Sequence, residues 1–184
     1  QFQVYQGVFP NASTGDVNAA VFHQGSRVYE LRKMDFRVLA EPEAERLCFG
    51  PMKIEQIAPL RKWRIRFDAG EFCADLTFSA VHPPFSWPKL NSRQEAGTKP
   101  AIRSHHFDQL GRYQGTCLVQ GREVAIDTLG FRDRMWGWGG RRHWRSYLIM
   151  WAAFHEDCVA NVVVQSFDDG RETLCGYLHQ DGMR

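Results

Sequence analysis

From Phe72 to Ala80 the chain alternates without a break, Phe72, Ala74, Leu76, Phe78 and Ala80 on one parity and Cys73, Asp75, Thr77 and Ser79 on the other. A period of two sends successive side chains to opposite faces of an extended strand, so this segment must bury one face and wet the other. Trp63, Ile65 and Phe67 repeat the pattern just upstream, and Asp68-Ala69-Gly70 between the two runs tolerates the positive φ of a tight turn. The two runs predict a hairpin. Residues 113–119 and 123–126 predict a second, closed at Gln120-Gly121. Residues 146–154 and 159–166 predict a third around Glu156-Asp157, and Asp168-Asp169-Gly170 then turns the chain into residues 173–178.

Helix signals are sparse, the one candidate of useful length being residues 41–46, too short to stand alone. The expected fold class is therefore all-β and antiparallel. Hairpins with one apolar face must bury it against another sheet or close into a barrel, because open edges invite aggregation. Barrel or curved-sandwich units follow. Residues 82–100 interrupt the pattern with Pro83, Pro84, Pro88 and Pro100 and read as a linker or lid. Residues 1–100 then form a first β unit ending in this proline-rich linker, and residues 101–184 a second.

Composition limits the function classes. With 184 residues, 43% hydrophobic and 24% charged, the chain is an ordinary globular sequence rather than a disordered one. A net charge of +2 is too small to advertise nucleic-acid binding, so no nucleic-acid partner is expected. Cys48, Cys73, Cys117, Cys158 and Cys175 are odd in number and lack metal-ligand spacing, which reads as reduced thiols in a reducing compartment. No apolar run reaches the length of a membrane span and no signal pattern opens the sequence, so a cytoplasmic protein with no integral membrane segment is expected. A homo-oligomer stays open.

The chemistry is concentrated in residues 105–115, His-His-Phe-Asp-Gln-Leu-Gly-Arg-Tyr-Gln-Gly, and 130–139, Gly-Phe-Arg-Asp-Arg-Met-Trp-Gly-Trp-Gly. Arginines and aspartates interleaved with tryptophans suit a site that holds charge beside a large apolar ligand, since indole faces attract cations and bury wide areas. His105, His106, Asp108 and His143 offer metal ligands, but no second tight pair at recognised spacing accompanies them, so neither a metal nor another cofactor is expected. The tract Arg141-Arg142-His143-Trp144-Arg145 reads as a rim for an acidic head group rather than a nucleic-acid patch. Gly137, Gly139 and Gly140 lack the strand-to-helix context of a dinucleotide fingerprint.

The spacing His-x-x-Gln-x-Gly-Arg-x-x-Gly from His106, followed by a hairpin and Gly-x-Arg-Asp-Arg-x-Trp-Gly, resembles the lipocalin-like superfamily of carotenoid 1,2-hydratase (hydroxyneurosporene synthase) and AttH-like two-domain proteins. The resemblance implies two consecutive lipocalin-like β units and a pocket for an isoprenoid or other lipid-like ligand. It also implies chemistry at a carbon–carbon double bond, of the hydratase or cyclase type, without a cofactor. Such chemistry needs a proton donor, a way to stabilise a carbocation, and a positioned water.

Under that reading Asp133 is the acid, Asp108 the second candidate acid, and His106 an orienting group. Trp136 and Trp138 are cation-stabilising walls, and Arg112, Arg134, Tyr113 and Trp144 complete the ligand site. Asp133 between Arg132 and Arg134 also fits a structural ion pair, although in a strand both arginines point away from it. Two functions remain: an acid-catalysing enzyme on an apolar unsaturated substrate, or a non-catalytic lipocalin-like binding protein for a hydrophobic small molecule.

Overall fold

The computed structural model describes residues 1–9, 14–23, 25–37, 46–87, 104–137 and 144–180. Every regular element among them is a strand, and every described strand register is antiparallel. β1 (Phe2–Phe9), β2 (Thr14–His23) and β3 (Ser26–Arg37) form one three-stranded sheet. A larger sheet is built from β4 (Arg46–Phe49), β5 (Met52–Ala58), β6 (Lys62–Asp68), β7 (Phe72–Ala80), β9 (Ser104–Val119) and β10 (Arg122–Gly137). Its order is β10-β9-β7-β6-β5-β4, and the two-residue β8 (Phe85–Ser86) pairs with β9. β11 (Trp144–His155), β12 (Cys158–Phe167) and β13 (Glu172–Gln180) form the third sheet. Among the described residues the large sheet ends at β10 and β4 without closing, so of the two expected architectures the open curved sandwich is the one that fits.

The chain divides into two compact units, residues 1–80 with 112–128 and residues 81–111 with 129–184, and β9 and β10 contribute to both. In the first, the alternation of β7 does what its pattern requires. Phe72, Ala74, Leu76 and Phe78 are buried, and the last three pair in register with Phe67, Ile65 and Trp63 across the hairpin. Val17, Ala19 and Val21 of β2 cover Phe67, Phe72 and Leu76 from the other sheet, and the Phe2 ring lies 4.9 Å from that of Phe72. The unit is a two-layer β sandwich. Gln120 and Gly121, with φ of 50° and 75°, make the two-residue turn between β9 and β10, the geometry whose twist matches the flanking strands.

In the second unit the start of the proline-rich segment is packed structure rather than linker. Phe85 and Ser86 pair with Asp108 and Phe107, and backbone bonds from Val81 to Leu110 (3.1 Å) and from Trp87 to His106 (2.9 Å) fasten it at both ends. Residues 88–100 lie outside the described residues, as do 41–45 of the expected helix, whose last residue Arg46 opens β4. The hairpin around Glu156-Asp157 forms as expected, and its inward face carries Val159, Asn161, Val163 and Gln165, all buried.

Candidate functional site

The inward rung Trp151, Asn161, Tyr177 runs across β11, β12 and β13, three residues in register on adjacent strands. Two of its members point at one carboxylate. Asp108, on β9 and fully buried, accepts hydrogen bonds at Oδ2 from Trp87 Nε1 (2.9 Å), Asn161 Nδ2 (3.1 Å) and Trp151 Nε1 (3.4 Å). An oxygen surrounded by three N–H donors is spent as an acceptor, so Asp108 acts as an anchor.

Its other oxygen faces His106, two residues earlier on the same side of β9. His106 Nε2 lies 3.5 Å from Asp108 Oδ1 and 2.8 Å from Asp133 Oδ1 of β10. Neither carboxylate stands in line with the ring N–H: Nε2, Asp108 Oδ1 and Asn161 Oδ1 are buried atoms without a well-aligned hydrogen bond among the described residues. The contacts are charge pairings more than directed bonds. Burial pulls the His106 imidazole down, but Asp108 and Asp133 together outweigh it and raise the ring to about 9. Trp87 stacks on the same ring at 5.4 Å, a face-on contact that favours an imidazolium. Tyr177 and Tyr147 keep their phenolic protons, both pushed up first by burial, then at Tyr177 by the charge of Asp108 and at Tyr147 by Asp133 and after it Asp108.

Asp133 is the exposed end of this triad, its side chain 41% accessible against 0% for Asp108. Its partner is a histidine rather than either flanking arginine. Arg132 approaches Gln109 Oε1 (3.4 Å) and lies over the Phe107 ring, and Arg134 lies over Trp136. Trp136 is 48% exposed and stacks on His105 at 5.2 Å. Arg112 and Tyr113 belong to the first compact unit, where Arg112 binds Asp127 (2.6 Å) and Tyr113 packs on Phe78, while the triad belongs to the second. Trp138 and His143 lie outside the described residues, and Trp144 opens β11 with its side chain undescribed.

Reasoning from sequence missed Trp87, Trp151, Asn161 and Tyr177. On β12 the pattern pointed the other way: Asn161 shares its parity with Gln165, whereas Cys158, Ala160, Val162 and Val164 make the opposite parity the more apolar one. A cleft of about 40 Å³ borders the triad, with Asp108, Leu110, Phe85, Tyr177, His82 and His179 in its walls. That volume suits a water or an ion rather than a drug-sized molecule, which takes several hundred cubic ångströms. His106, Asp108 and Asp133 could also converge on a cation, each offering a donor atom within 4.8 Å of the others, but a metal would have to displace the proton that the two carboxylates favour on the ring.

No helix among the described residues is long and apolar enough to cross a membrane. The five cysteines are free. Searches of curated proteins and of solved structures gave no match. One family model, described as a domain of unknown function (DUF7064), matches residues 1–184, and the chain belongs to that family.

Proposed function

We propose that this protein is a cofactor-independent acid–base enzyme acting on a carbon–carbon double bond of an apolar, lipid-like substrate, of the hydratase or cyclase type. The observation that carries this reading is the Asp133–His106–Asp108 triad, a half-exposed carboxylate 2.8 Å from an imidazole whose other neighbour is a fully buried carboxylate. In it the proton that rests on His106 passes through Asp133 to one carbon of the substrate double bond, water adds to the other carbon, and the proton this water releases returns through Asp133 to His106, which Asp108 holds in place. His105, Arg134 and Trp136 gather on the opposite face of β9 and β10 from His106 and Asp133, so they do not wall the acid, and a ligand too large for the cleft would reach Asp133 at its exposed edge. The lipocalin-like resemblance supports the substrate class, and the free thiols support a cytoplasmic setting.

The test is solvent deuterium uptake by a panel of isoprenoid and unsaturated fatty alcohols, read by mass spectrometry, together with tryptophan quenching and thermal unfolding. Wild-type protein should incorporate deuterium or add water to a member of the panel. Asp133→Asn should lose that activity while binding within a few fold and melting near the wild-type temperature. Binding without exchange across the panel would replace the enzyme with a lipocalin-like carrier. A large drop in melting temperature for Asp133→Asn would make the pair structural.

A further inference from the structure

A second group of metal-competent side chains lies in the same compact unit, outside the triad. His82, at the start of the proline-rich segment, His179 of β13 and Asp157 of the β11–β12 turn each offer one donor atom, all within 4.8 Å of one another. They come from three separate stretches of chain. We propose that His82, His179 and Asp157 form a binding site for one divalent transition cation of the zinc and cobalt class. Two imidazoles and a carboxylate are the donor set such ions take, with the remaining positions left to water or substrate.

Three observations support it. The imidazoles of His82 and His179 meet edge to face with centroids 4.0 Å apart, so the two rings stand side by side next to the Asp157 carboxylate. His82 Nε2 is hydrogen-bonded to the backbone carbonyl of Glu156, next to Asp157. A ring that donates one N–H to a carbonyl keeps the lone pair on its other nitrogen, the outer contact that usually orients a ligating histidine. Gln109, buried on β9, then holds the His82 backbone by donating to its carbonyl at 3.1 Å. Finally, both histidines line the cleft of about 40 Å³, which suits an ion with its waters.

The experiment titrates the whole chain, reduced and stripped with a chelator, with Co²⁺ alone. One equivalent should bind and give ligand-field absorption in the visible without the thiolate-to-cobalt band that cysteine ligation would add. His82→Ala and His179→Ala should each weaken binding by about a hundredfold or more, and Asp157→Asn, on an exposed turn where folding is not at risk, by about tenfold. Absence of saturable binding would overturn the site. So would a thiolate charge-transfer band, or binding that survives His179→Ala and Asp157→Asn but is lost in His106→Ala. Because none of the three ligands belongs to the triad, a failure here leaves the acid–base reading standing, and the reverse also holds.

Discussion

His106 shows how two neighbours decide the chemistry of one side chain. Its ring is raised from 6.5 to about 9, so between those values the folded protein holds a proton that the unfolded chain releases. The resulting stabilisation is fully present below pH 6.5 and is lost as the pH climbs through about 9. It amounts to at most about 3 kcal/mol, since a tenfold gain in proton affinity is worth about 1.4 kcal/mol. Denaturant midpoints should therefore fall from pH 6 to pH 9.5 in the wild type, and His106→Gln should flatten that part of the profile. A histidine resonance titrating near its ordinary value would remove the basis for the proton relay. Asp133 itself illustrates the limit of sequence adjacency: it sits between two arginines and pairs with a histidine on the neighbouring strand.

At the scale of the strand, the second glycine of the His-x-x-Gln-x-Gly-Arg-x-x-Gly run gains a physical reason. Gly115 sits in β9 with φ of 146°, and a Cβ there would collide with the backbone carbonyl of Asp75 on β7. Both atoms are backbone, so neither can swing away. Gly115→Ala should cost about 3 kcal/mol or more, while Gly70→Ala, in an open turn at φ 76°, should cost about 1 kcal/mol. Comparable losses in thermal unfolding would mean that β9 does not approach β7 this closely. Parity made β7 readable because only one of its faces is apolar. β11 was readable as a strand but not as to its inner face, since Leu148, Met150 and Phe154 on one parity are as apolar as Ile149 and Trp151 on the other. The structure leaves the even set outward, with Phe154 79% exposed, and turns Trp151 of the odd set toward Asp108.

Across the whole molecule, what the sequence could show was local: hairpins, turns and the strand character of nearly every alternating segment. The site escaped because its parts are distant in sequence. Trp87 and Asn161 meet at Asp108 from 21 residues before it and 53 after, and no spacing rule links them. The same separation bears on folding. β7 and β9 are neighbours in the sheet although residues 81–103 stand between them, and Phe2 packs on Phe67 and Phe72. Non-local pairings must close long loops before they gain contact energy, so an all-strand chain of this kind should refold in the range of milliseconds to seconds. Stopped-flow circular dichroism should show strand signal growing slowly from a chain with no helical burst, and the final spectrum should lack helical character. A fast helical phase, or a helix-dominated native spectrum, would contradict the antiparallel architecture on which the placement of Asp108, His106 and Asp133 depends.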